Sequence, residues 1–168
     1  MRSKYLTVGL SFALVTAFGS AQSSSMEKSC MMKGCPSGTA AITVASKTEP
    51  YYACPSKPLA EYTNFVIGMA SMAVQLTGHL PNISPVTGDP EYLDGAGGKP
   101  NQTRIMLAFM RNQAKVQTFD EAVAMCSMGR SRVLVTVMNE PKDSSTVWVF
   151  DDKKKLSFWM PKSSLDKR

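Results

Sequence analysis

The residues best suited to chemistry lie near the start of the sequence, where Cys30, Met31, Met32 and Cys35 share one short segment without helical or strand pattern. Thiolate and thioether sulfur are soft ligands that favour Cu(I), so this quartet is a candidate soft-metal site wherever its thiols stay reduced. Three further methionine pairs, Met69/Met72, Met106/Met110 and Met125/Met128, recur at helical spacings. Core packing produces the same spacings, and methionine is a common gap-filler. Structural zinc needs paired ligands. The four cysteines, Cys30, Cys35, Cys54 and Cys126, form one loose pair and two singles instead.

Hydrolytic chemistry has few candidates. His79 is the only histidine available to a Cys–His nucleophile pair. It follows Gly78 just beyond an expected helix end, where an imidazole also serves as a partner for the helix dipole. Asp89, Glu91 and Asp94 could supply the paired carboxylates of a glycosidase, yet nothing in the sequence sets two of them across a cleft. The chain has no Gly-x-Ser-x-Gly elbow, no His-Glu-x-x-His helix and no phosphate-cradling loop. Gly95-Ala-Gly-Gly98 follows no strand and reads as a flexible loop.

The compartment decides what the cysteines do. Arg2 and Lys4 precede an uncharged run from Leu6 to Phe18, and the small residues Gly19, Ser20 and Ala21 follow. This pattern predicts a signal peptide over residues 1–21, then a disordered polar linker over 22–29 and a single domain over 30–168. The apolar run is too short for a spanning helix, so no transmembrane segment is expected after cleavage. Loss of Arg2 and Lys4 lowers the formal net charge from +6 to +4. In an exported chain that mild basicity points to an envelope protein or an anionic surface component as partner, and not to nucleic acid. An even cysteine count in an oxidising compartment favours two disulfides. Spacing admits three connectivities. The preferred one closes a small loop with Cys30–Cys35 and ties the long helix to the third helix with Cys54–Cys126.

The elements that must position these residues follow from periodicity. Thr39–Ala45 alternates β-branched residues and, with Tyr51-Tyr52, reads as an N-terminal β-hairpin across the turn Ser46–Pro50. Ser56-Lys57-Pro58 opens a long helix that Gly78 stops. Its apolar face is so wide that the helix must be central to the core or seated against a partner or a membrane surface. Residues 79–100 form a long Pro- and Gly-rich loop, a length that is commonly functional or mobile. Asn101 caps a second helix to about Ala114, with Ile105, Ala108 and Phe109 on one face. Thr118-Phe-Asp-Glu121 fits a capping box for a third helix ending at Gly129. Residues 132–138, 146–150 and 156–160 then read as a three-stranded antiparallel meander packed on the helices, which makes the fold α+β.

A binding role has the most support in the sequence. Along the meander Val147 and Val149 alternate with Trp148 and Phe150, while Trp159 opposes Phe158. One set must face away from the core. Trp148, Phe150 and Trp159, beside the triplet Lys153, Lys154 and Lys155, form the expected partner surface. The expectation is a non-enzymatic binding or assembly protein of the cell envelope, periplasmic or secreted and without a cofactor. It would be a subunit of an exported apparatus or an inhibitor of an envelope enzyme. The alternative is a copper binder using Cys30, Met31, Met32 and Cys35, and a small hydrolase using His79 or the loop carboxylates comes third.

Overall fold

The computed structural model describes residues 27–92 and 101–168. The expected signal peptide, most of the linker and Gly95–Gly98 lie outside the described residues. In chain order the elements are α1 (Cys30–Lys33), β1 (Ala40–Thr43), β2 (Tyr52–Ala53), α2 (Lys57–Thr77), α3 (Gln102–Ala114), α4 (Phe119–Ala124), β3 (Ser127–Met128), β4 (Leu134–Asn139), β5 (Thr146–Asp151), β6 (Leu156–Pro161), a 3₁₀ turn (Lys162–Ser164) and β7 (Leu165–Lys167). This is an α+β fold in which a C-terminal meander packs against helices.

Five strands make one antiparallel sheet in the order β6-β5-β4-β1-β7. The expected N-terminal hairpin does not form. Both edges of β1 are taken, with Ala41 opposite Val135 of β4 and Thr43 opposite Leu165 of β7, so no edge is left for residues 51–53. β2 pairs with β3 instead, Tyr52 opposite Met128 and Ala53 opposite Ser127. The chain between β1 and β4 is therefore a helical excursion from the sheet. The β2–β3 ribbon zips its two ends together, and a Cys54–Cys126 disulfide closes it.

The segment expected to be irregular at residues 30–35 contains a helical turn. The Ser29 hydroxyl accepts a hydrogen bond from the Met31 N–H, and the positive φ of Gly34 ends the turn so that Cys35 can return to Cys30. That disulfide is buried with Val135, Val137, Val147, Val149 and Met160 in the sheet core. A second core gathers Cys54, Leu59, Tyr62, Val66, Leu107 and Ala122.

The long helix divides into two halves. Leu59, Ala60, Tyr62, Thr63 and Val66 are buried, whereas Met72, Val74 and Leu76 are exposed. Gly78 ends it in the left-handed conformation, and its N–H bonds the Val74 carbonyl. On α3 the face of Ile105, Ala108 and Phe109 turns away from the core. Leu107 is buried, with Met110 and Ala114 packed on the helical core, while Ile105 and Phe109 are exposed. Arg111 shares the face of Leu107 and Ala114, and its ion pair with buried Asp89 fixes that rotation. α4 starts as expected, with the Thr118 hydroxyl accepting from the Glu121 N–H, but the Glu121 carboxylate reaches the Gln117 N–H. It stops at Ala124 and not at Gly129, because residues 127–128 are drawn into the ribbon. No described helix is long and apolar enough to cross a membrane.

Candidate functional site

The ribbon is joined to the β6 edge of the sheet, where Cys54 and Trp159 exchange backbone hydrogen bonds of 2.9 and 2.8 Å. Tyr51 leads into β2, and Gly129 follows β3 with its N–H on the Tyr51 carbonyl at 2.7 Å. A Cβ at Gly129 would lie 2.3 Å from the Tyr51 ring, so only glycine lets the two strands close over that side chain. The Tyr51 and Thr43 hydroxyls both donate to the Arg130 carbonyl, at 3.0 and 2.6 Å. The Thr43 oxygen also accepts from the Val133 N–H. These bonds tie residues 129–133 down as a strap between ribbon and sheet. Burial, the largest influence, pushes the Tyr51 phenol above its ordinary pKa.

Opposite the strap stands the β5–β6 turn. Asp151 is buried, and its carboxylate accepts from the N–H groups of Lys153 and Lys154 while its carbonyl accepts from Lys155. Lys155 takes a positive φ there. Strap and turn bound a cleft of about 280 Å³ whose apolar lining includes Met125, Met128, Leu156 and Phe158, with Arg130 and Lys154 at its rim. An adjoining depression adds Arg132 and Lys153. The nearby acids are already engaged, Asp151 in capping the turn and Asp152 with the Thr136 hydroxyl. Among the described residues neither Arg130 nor Lys154 makes an ion pair. The cleft thus combines an apolar floor with more cations than carboxylates along its lining and that of its extension.

The residues expected to form the partner surface are divided between two faces. Lys153 and Lys154 border the cleft and its extension. Lys155 turns the other way, its ammonium 5.8 Å from the centre of the Phe150 ring. Trp148 and Trp159 are cross-strand partners stacked at 6.4 Å and 18°. Both are half-buried, and Trp159 packs on the helical core. The cleft itself was missed in the sequence because its walls come from residues 51–55, 125–133 and 151–158. The available signal was the exposed pair Met125 and Met128 flanking the second half-cystine.

The other candidates are also placed. Cys30–Cys35 and Cys54–Cys126 are both disulfides, so none of the four sulfurs is a thiolate ligand. Asp89 is buried between Tyr62 and Arg111 rather than solvated, Glu91 is exposed, and Asp94 lies outside the described residues. His79 is exposed beyond the end of α2. Among the described residues no three His, Cys, Asp or Glu side chains gather to hold a metal.

No protein family, curated protein or solved structure matches the chain.

Proposed function

We propose that this chain works outside the cytoplasm as a non-enzymatic binding or assembly protein of the cell envelope. Its cleft under the β2–β3 ribbon takes an apolar side chain of a partner protein that carries an acidic residue alongside. The observation that carries this reading is the apolar cleft lined also by Arg130 and Lys154, two cations that form no ion pair among the described residues. Methionine suits such a floor because its flexible, polarisable thioether adapts to the shape of an incoming side chain. Two disulfides support an oxidising compartment, since such bonds persist chiefly outside the cytoplasm. Periplasmic or secreted location, and a role within an exported apparatus or as an inhibitor, belong to the same proposal.

Displayed linear peptides selected on the disulfide-bonded protein test it. The enriched sequences should pair an apolar residue with Asp or Glu. Binding should fall by about tenfold or more in Met128→Glu and in Arg130→Glu. Retention in both variants, with loss in Trp148→Ala, would move the binding surface to the aromatic face of the meander.

A further inference from the structure

Met31 and Met32 on α1 and Met72 on α2 border one groove of about 570 Å³ between the two helices. They are 57%, 63% and 54% exposed, so none of them fills space in a core. Small residues, Ala45, Ser71 and Ser164, line the groove beside them together with one carboxylate, Glu49, too few for a zinc ligand set. Gly68 also borders it, and a Cβ there would meet nothing within 4 Å. The first wall is firmly placed. The buried Cys30–Cys35 disulfide closes the loop that carries Met31 and Met32, and Ser29 caps its first turn.

Three flexible thioethers kept in water around one groove are unusual for packing and suited to soft-metal chemistry. We propose that Met31, Met32 and Met72 form a thioether site for a monovalent soft cation, Cu(I), for which Ag(I) is a redox-inert probe. Thioether sulfur carries no proton, so loading releases none and no electron is transferred. Binding therefore persists at acidic pH, where thiolate and imidazole sites lose their metal to protons. Zn(II), which is held by thiolate, imidazole and carboxylate ligands, is excluded. The site is separate from the cleft under the ribbon, and its failure leaves that reading intact.

The test is titration of the disulfide-bonded protein with Ag(I), followed by native mass spectrometry and by the ¹³C signals of the methionine methyl groups. The expected result is one bound ion, with the methyl signals of Met31, Met32 and Met72 displaced and those of Met125 and Met128 unmoved. Affinity should be nearly constant between about pH 5 and about pH 7.5. Met72→Leu, a volume-conserving change, should weaken binding by about tenfold or more, and changing all three to leucine should abolish it. Absence of a bound ion, displacement of other methyl groups instead, or undiminished binding by the triple leucine variant would each overturn the proposal. The methyl displacements in the unmodified protein decide the matter even if a variant misfolds.

Discussion

The Tyr62 phenol donates a 2.5 Å hydrogen bond to one oxygen of Asp89, and Arg111 holds the other. The three side chains come from α2, from the chain between α2 and α3, and from α3, so one buried carboxylate fastens that connection to both helices. The local turn supports it, with the Ser84 N–H on the Asp89 carbonyl and the Glu91 N–H on that of Asn82. Removing one partner of a buried ion pair leaves the other charge uncompensated. Asp89→Ala should therefore cost about 3–5 kcal/mol in urea unfolding. Tyr62→Phe, which removes one bond to a charged acceptor, should cost about 1.5–3 kcal/mol. A smaller loss from Asp89→Ala than from Tyr62→Phe would show that the carboxylate does not hold this region.

The same contact sets an alkaline limit. Burial foremost, and then the hydrogen bond and negative charge of Asp89, push the Tyr62 pKa well above its ordinary value. The folded state then keeps a proton that the unfolded chain has lost, so this contribution to stability is intact below the ordinary tyrosine pKa of about 10 and declines above it. Tyr62→Phe should unfold with a shallower loss of stability above about pH 10 than the unmodified protein. Tyrosinate absorbance should show Tyr62 ionising only as the fold opens.

The two disulfides should contribute unequally. In the chain-entropy account the stabilisation grows with the loop closed. Cys54–Cys126 spans 72 residues and Cys30–Cys35 spans 5. Replacing the first pair by serine should cost about 4 kcal/mol and the second about 2 kcal/mol, read from denaturant midpoints. Equal losses would mean that native packing around the sulfurs outweighs the constraint on the unfolded chain.

Gly129→Ala should be more harmful than a surface glycine change. Its added methyl lands on the Tyr51 ring, which is 2% exposed and cannot swing clear. Overpacking of this kind costs about 1–3 kcal/mol. Gly38→Ala is not a fair comparison because of its positive φ, but Gly68→Ala meets nothing within 4 Å in mid-helix and should be neutral or stabilising in thermal unfolding.

Much of the fold was legible where a local rule governs. Gly78 ends α2, Asn101 caps α3, Thr118 caps α4, and Val147 and Val149 turn inward as their alternation requires. The preferred disulfide connectivity is the one that forms, although cysteine spacing alone admits two others. Pairing between distant strands was not legible. Residues 39–45 and 51–52 are close in sequence and strand-like, yet β1 is claimed from both sides by strands more than 90 residues away. The rotation of α3 was not legible, because its sequence shows an apolar stripe through Ile105 and Phe109 while Arg111, which anchors the opposite face, has its partner Asp89 in a loop. Of the expected partner surface, only Lys153 and Lys154 border the cleft and its extension. Its ribbon and strap exist only once β2 has found β3.

The aromatic face gives the last test. Trp148 and Trp159 stack across β5 and β6, while Trp159 also packs on the helical core beyond. An aromatic pair of this geometry is worth about 0.5–1.5 kcal/mol beyond the area it buries. A double-mutant cycle with Trp148→Ala and Trp159→Ala should return a coupling of that size, because the single losses count the shared stack twice. Trp159→Ala should be the more destabilising single change, since it also removes the packing of that indole on the helical core. Should Trp148→Ala instead leave stability untouched and give zero coupling, the indole at position 148 would not serve the fold, and its half-exposed face would become the stronger candidate for partner contact.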